Sequence, residues 1–265
     1  MKQIKLIMKR VLRPVSSRWV YRARRGITKG LRRRGGFDFL PWGKHAKEES
    51  ILSLLAPTLK GKVVYDIGAN NGLTTIFFAH QVGEEGRVVA FEPVPFLYNW
   101  LCDHVRLNNF RNVVCLQLAL GATRRNLEIL YSRDYLGIGT LDSSIAERYK
   151  KQTKLERTTV QVVPLDECIV KYDLPLPDLL KIDVEGFEAE VLKGASKVLE
   201  SGTPIMLEVH GQQGPLVSEI LEQYGYAIYV STQTGFQKQR ICDAKTNVFF
   251  CTPEKPITRE ARNEC

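Results

Sequence analysis

The stretch Val64-Tyr65-Asp66-Ile67-Gly68-Ala69-Asn70-Asn71-Gly72-Leu73-Thr74-Thr75 decides the fold. Lys62–Ile67 reads as a buried strand, and Leu73–Gln81 has the length and spacing of a helix. Between them, Gly68 and Gly72 allow a sharp turn and leave room for a ligand against the backbone. The helix that follows presents unpaired N–H groups suited to a carboxylate or phosphate. A second buried strand, Arg87–Phe91, ends at Glu92. A carboxylate at that strand end is placed to accept hydrogen bonds from both hydroxyls of an adenosine ribose. Strand, glycine turn, helix and acidic strand end occur in one run, which points to an adenosyl cofactor. The spacing departs from G-x-G-x-x-G, and Asp66 stands where a nicotinamide fold has its first glycine. An acidic loop suits a cation better than a pyrophosphate. S-adenosylmethionine, a sulfonium with an amino-acid tail and a ribose, meets that description.

Outward from this run the alternation continues. Val113–Leu120, Leu179–Ile182 and Pro204–Val209 read as strands, and Phe96–Leu107 and Glu188–Leu199 as helices. Apolar strands alternating with helices predict an α/β, doubly wound parallel sheet covered on both faces. The end of the chain differs. A helix over Gly214–Tyr224 is followed by Tyr226–Val230 and Asn247–Cys251, two strands expected to pair antiparallel at the sheet edge. Arg124–Val163 carries strand patterns at Leu127–Tyr131 and Thr159–Val163 around a polar segment. That insertion reads equally as a source of substrate contacts or as a peripheral hairpin.

In open α/β sheets the reacting groups gather beyond the carboxyl ends of the strands. Lys181-Ile182-Asp183-Val184-Glu185-Gly186 ends one strand and Glu208-Val209-His210 the next, so Asp183, Glu185, Glu208 and His210 are expected near the glycine turn. Were S-adenosylmethionine to give its methyl group to a hydroxyl, the site would have to align the acceptor oxygen and take its proton. His210, which titrates near neutrality, is the first choice of general base. Asp183 is the second, or orients the acceptor or the cofactor's ammonium group. Glu185 could instead serve the N-terminus of the following helix. Asp183, Glu208 and His210 also form a set of ligands that could hold Mg²⁺. No Asp/Asn-Pro-Pro-aromatic run follows this strand, which weighs against amine methylation.

VYDIGANNGLTT, VVAFEPVP, the Asn108–Asn109 pair, LLKIDVEGFEAEVLKGA and MLEVH resemble, in sequence and order, the FkbM-type methyltransferases. The resemblance runs over Lys62–His210 and onward toward Pro253. It implies a class I methyltransferase fold, a Rossmann-like seven-stranded sheet with an antiparallel last strand. It also implies an S-adenosylmethionine-dependent O-methyltransferase whose acceptor is a glycan or related hydroxylated natural product. Carried across position by position, it puts Asp66, Gly68, Asn70, Asn71 and Gly72 around the methionine part and Glu92 on the ribose. The acceptor's identity does not transfer.

The chain has 265 residues and a formal charge of +9, with 44% hydrophobic and 25% charged residues. These proportions are those of a globular protein and exclude a fibre or a disordered chain. No apolar run reaches the length of a membrane span. The charge is unevenly divided: thirteen of the 38 basic residues precede Asp38, where no acid occurs, and the remainder is mildly acidic. Four segments are expected: a basic arm (1–37), a helical lead-in (38–61), the methyltransferase domain (62–253) and a tail (254–265). Within the arm, Ile4, Ile7, Met8, Val11 and Leu12 fall on one side of a short amphipathic helix that Pro14 ends. Such an arm suits an anionic membrane surface, and less well a nucleic acid. The six cysteines are scattered without C-x-x-C pairs, consistent with inert thiols in a reducing, cytoplasmic setting, peripheral to the membrane through the arm. Two other functions use the same residues: an RNA-directed methyltransferase anchored by the arm, and a non-catalytic cofactor-binding scaffold in a glycan-assembly complex.

Overall fold

Strand alternation in one sheet accounts for most of the apolar pattern. The computed structural model describes residues 19–35, 47–133, 139–150, 153–233, 235–244 and 246–254. The amphipathic segment expected before Pro14 and all but the first residue of the tail lie outside these. A hairpin comes first, β1 (Val20–Arg22) and β2 (Arg32–Arg34), paired antiparallel with Val20 opposite Arg34. Helix α1 (Lys47–Leu55) follows, within the stretch read as a helical lead-in. Then β3 (Val63–Ile67), α2 (Leu73–Val82), β4 (Arg87–Phe91), α3 (Pro95–Leu107) and β5 (Val113–Leu116) alternate, the three strands being parallel neighbours. Pro95 opens α3 at no hydrogen-bond cost, because a first-turn N–H has no partner within the helix.

The chain next leaves this sheet. β6 (Ala119–Leu120), β7 (Arg125–Tyr131), β8 (Gly139–Thr140) and β9 (Glu156–Val163) form a separate four-stranded sheet in the order β6-β9-β7-β8, with α4 (Ser143–Lys150) between β8 and β9. Helix α5 (Leu165–Lys171) leads back to β10 (Leu179–Ile182). There follow α6 (Glu188–Lys193), α7 (Ser196–Glu200), β11 (Ile205–Glu208), α8 (Gly214–Gln223), β12 (Tyr226–Ser231), β13 (Phe236–Lys238) and β14 (Val248–Pro253).

The main sheet has the order β13-β12-β14-β11-β10-β3-β4-β5. Its doubly wound arrangement, with β14 antiparallel to both β11 and β12, is the expected class I methyltransferase architecture. Strand order reverses between β3 and β10, which opens a crevice at their carboxyl ends. Three expectations are corrected. The sheet has eight strands, because the short β13 pairs with β12 and takes the edge. The single strand expected over Val113–Leu120 is two, β5 and β6, in different sheets. The single helix expected over Glu188–Leu199 is α6 and α7, separated at Gly194–Ala195.

Alternation along the strands sends successive side chains to opposite faces. Val64, Val88, Leu179 and Met206 pack against Ile51 and Leu52 of α1 and Phe77 and Phe78 of α2. Tyr65, Val89, Leu180 and Leu207 pack on the other face against Val191, Leu192, Val198 and Leu221 of α6, α7 and α8. Each fully buried large side chain contributes roughly 1.5–3 kcal/mol. Among the described residues no helix is long and apolar enough to cross a membrane.

Candidate functional site

The glycine turn is shaped as much by neighbouring backbone as by any ligand. Gly68 has φ +77°, and a Cβ there would lie 1.8 Å from the Asp183 carbonyl oxygen. Only glycine lets the ends of β3 and β10 meet so closely. Gly72, at φ +83°, would push a Cβ to 2.7 Å from Leu101 Cδ1 and 2.9 Å from Leu101 Cα in α3. The turn is also tied to β4: the Gly68 and Ala69 N–H groups both donate to the Phe91 carbonyl at 3.0 Å.

Glu92 locks the same turn from the side. One carboxylate oxygen accepts the Asn70 N–H and the other the Val94 N–H, each at 2.8 Å. Burial pushes its carboxyl up to about 7, with those two N–H groups pulling the other way. A carboxylate offers about four lone-pair sites, so each oxygen retains capacity toward a hydroxyl. Below the turn, fully buried Asp66 accepts the Thr75 hydroxyl at 2.6 Å and faces Lys181 Nζ at 3.4 Å. Lys181 Nζ also lies 3.5 Å from Asp183 Oδ2 and 3.4 Å from the Gly68 carbonyl. Burial alone would pull this amine below its ordinary value. The charges of Asp66, Asp183 and Glu48 more than reverse that and hold it above its ordinary value.

The cleft runs across these strand ends. Its cavity has a volume of ≈ 120 Å³. Asn70, Glu92, Asp183 and Glu185 line it, and Phe91, Leu118, Leu141 and Phe187 supply apolar wall. Of the expected cofactor residues, Gly68, Asn70 and Glu92 line the cleft, whereas Asp66, Asn71 and Gly72 support the turn from outside that lining. Ile129, Gly139 and Leu141 bring the second sheet and its following loop into the wall. The Arg124–Val163 insertion is therefore part of the site.

Glu185 adopts φ +51° and is followed by Gly186 at +100°. Two bonds hold this bend: Thr140 Oγ1 donates to the Glu185 carbonyl at 2.6 Å, and the Gly186 N–H donates to Glu188 Oε1 at 2.9 Å. Burial lifts the Glu185 carboxyl to about 7, against the pull of His210. Asp183 is likewise raised by burial, with Lys181 opposing.

His210 sits outside the cleft lining, ringed by carboxylates. Its Nδ1 lies 3.1 Å from Glu188 Oε1, and its Nε2 3.4 Å from Glu208 Oε1 and 3.6 Å from Glu185 Oε2. Burial works against charge on the ring, but Glu188, Glu208, Glu185 and Asp183 carry it up to about 11. These carboxylates favour the protonated ring, whereas the base role expected from sequence needs the neutral one.

Two contributors escaped sequence reasoning. Glu188, fully buried, reads in sequence as an acid opening a helix. Glu48 of α1 lies close enough to respond to Lys181 and Asp183, and burial lifts it to about 7. No motif marks it, because it belongs to the lead-in helix.

Residues 66–228 match the Methyltransferase FkbM domain. Methyltransferase sdnD from Sordaria araneosa is 29% identical over 192 residues, covering 62% of this chain and 73% of that protein. Hexuronic acid methyltransferase AglP from Haloferax volcanii is 25% identical over 170 residues, and the match spans 64% of each chain. Among solved structures, an SAM-dependent O-methyltransferase from Thermotoga maritima aligns at 13% identity with a TM-score of 0.46, covering 81% of this chain and 68% of that one.

Proposed function

We propose, from the premise that this chain belongs to the FkbM methyltransferase family, that its cleft uses S-adenosylmethionine to methylate a hydroxyl of a glycan or a related hydroxylated metabolite. The observation that carries this reading is the shared cleft: Gly68, Asn70 and Glu92 line it together with Asp183 and Glu185. The residues fit the cofactor. Glu92 has lone pairs left for two ribose hydroxyls, the apolar wall suits an adenine ring, and Asp183 and Glu185 favour a sulfonium over an anion. When bound, S-adenosylmethionine supplies a methyl group already activated for in-line displacement.

The protein's own work is positioning and proton removal. Alignment of an acceptor oxygen can supply roughly 7–11 kcal/mol of the barrier. Asp183, fixed by Lys181, orients the acceptor hydroxyl, and Glu185, raised to about 7, takes its proton. His210 holds Glu185 in place as a fixed positive partner. The sugar named in the Haloferax volcanii relative supports a carbohydrate acceptor. A second reading of the same cluster rests on ligand atoms of Asp183, Glu185 and His210 lying within 4.8 Å of one another. In that reading these three, instead of the expected Asp183, Glu208 and His210, would hold a divalent cation such as Mg²⁺, with Glu188 fixing the imidazole. Methyl transfer that stops in chelator and returns with Mg²⁺ or Mn²⁺ supports the cation. Undiminished transfer in chelator supports the proton acceptor.

Calorimetric titration tests the cofactor. Glu92→Ala should weaken S-adenosylmethionine binding at least tenfold, since each charged hydrogen bond is worth roughly 1.5–3 kcal/mol. Equal affinity in the variant would sink the assignment. Tritiated-methyl transfer into fractionated extract, lipid-linked glycans included, identifies the acceptor. Label in RNA would move the reading to a nucleic-acid enzyme, and cofactor binding without any transfer would favour a scaffold.

A further inference from the structure

The β1–β2 hairpin carries a surface that the methyl-transfer cleft does not use. Arg22, Arg24, Arg25, Lys29 and Arg32 are exposed on it, and no acid occurs between Trp19 and Gly35. Beside this positive face, Trp19 and Val20 are 59% and 50% exposed. Between the hairpin and α3 lies an open concavity lined in part by Val20, Arg32, Arg34, Arg106 and Leu107. Its one carboxylate, Asp103, pairs with both Arg34 and Arg106, so three guanidinium groups face a single acid. Guanidinium forks match phosphate oxygens. A tryptophan and an aliphatic side chain set among cations suit the boundary between headgroups and acyl chains.

We propose that this hairpin face docks onto an anionic phospholipid surface. Headgroup phosphates sit against Arg32, Arg34 and Arg106, and Trp19 and Val20 enter the acyl boundary. A nucleic acid would satisfy the same cations but offer nothing to Val20. It would equally leave unused the apolar residues Ile4, Ile7, Met8, Val11 and Leu12 that the sequence places upstream on one side of a helical wheel. The hairpin is fastened to the catalytic body. The Arg34 N–H donates to His104 Nε2 at 2.8 Å, the Arg32 N–H to Asn108 Oδ1 at 2.7 Å, and His104 Nδ1 donates to the Asn71 carbonyl at 2.5 Å. Docking through this face therefore fixes the glycine turn relative to the lipid surface. That consequence rests on the methyltransferase reading, whereas the docking itself does not.

Sedimentation of the full chain with vesicles tests it, using phosphatidylcholine alone and phosphatidylcholine mixed with phosphatidylglycerol. The protein should pellet with the mixed vesicles only, and less as salt rises. Arg24→Glu, Arg25→Glu and Arg32→Glu combined should lower partitioning at least tenfold, since each basic residue near such a surface is worth roughly fivefold. Trp19→Ala with Val20→Ser should lower it severalfold at constant charge and unchanged melting temperature. Vesicle binding that neither set of substitutions alters would place attachment elsewhere and overturn the proposal. So would absence of pelleting, or charge-dependent retardation of an RNA oligonucleotide that is indifferent to Trp19 and Val20.

Discussion

Glu185 and His210 face each other across 3.6 Å, and their pH behaviour separates their roles. If Glu185 accepts the proton, only its ionised form works. In chelator-treated protein, turnover should therefore climb with pH toward about 7 and level off above it. A pH–rate profile of Glu185→Gln should lack that limb and show a loss of at least about 100-fold, the usual contribution of a general base. An unchanged limb in the variant would remove Glu185 from the chemistry. His210 has the opposite sign. Its folded value is raised to about 11, so its contribution to stability is full below its ordinary 6.5 and erodes as pH rises toward 11. His210→Gln leaves the buried Glu188 without its cation and should cost about 3 kcal/mol at about pH 6 by urea denaturation, and visibly less at about pH 9. The residues lining the cleft were legible because Gly68, Asn70, Glu92 and Asp183 sit in runs whose spacing carries meaning. The ring of acids around His210 was not. Glu188 looks like any helix-opening acid, and Glu48 comes from an element with no motif.

At the level of elements, the alternation of β3, α2, β4 and α3 follows directly from β-branched runs and helical spacing. The failures occur where contacts between distant segments overrule local pattern. Nothing in Glu188–Leu199 contains a proline to break a helix, yet α6 ends at Gly194. A Cβ there would lie 2.2 Å from the Gly121 carbonyl oxygen, so the break is set by a chain segment more than seventy residues away. Gly194→Ala should cost about 1–3 kcal/mol by forcing these backbones apart, measurable as a lower denaturation midpoint with unchanged slope. A neutral substitution would mean that the α6–α7 junction relaxes freely. The division of Val113–Leu120 has a similar origin. β5 continues the main sheet, while Leu118 turns into the cleft wall and Ala119–Leu120 pairs with β9. A uniformly apolar run does not reveal which of two sheets will claim each half.

Across the whole molecule, charge and topology divide the labour. The basic hairpin packs against α3, and acidic groups gather at the strand ends of β10 and β11. The uneven charge was plain in the sequence, but the hairpin's seat on His104 was not. The order of the main sheet adds a constraint on synthesis. β11 and β12 do not pair with each other, because β14 lies between them and supplies the hydrogen bonds of both. A chain stopped after Asn247 should be insoluble or highly protease-sensitive, whereas one stopped after Glu254 should remain folded by limited proteolysis. Proteolytic resistance of the shorter chain would show that β12 finds another partner. Until the ribosome has released Val248–Pro253, the nascent polypeptide carries two open strand edges, each a template for a neighbouring chain. This enzyme's exposure to misassembly during translation thus lasts until Val248–Pro253 has been made, and its yield in a cell should depend on chaperones that shield those edges.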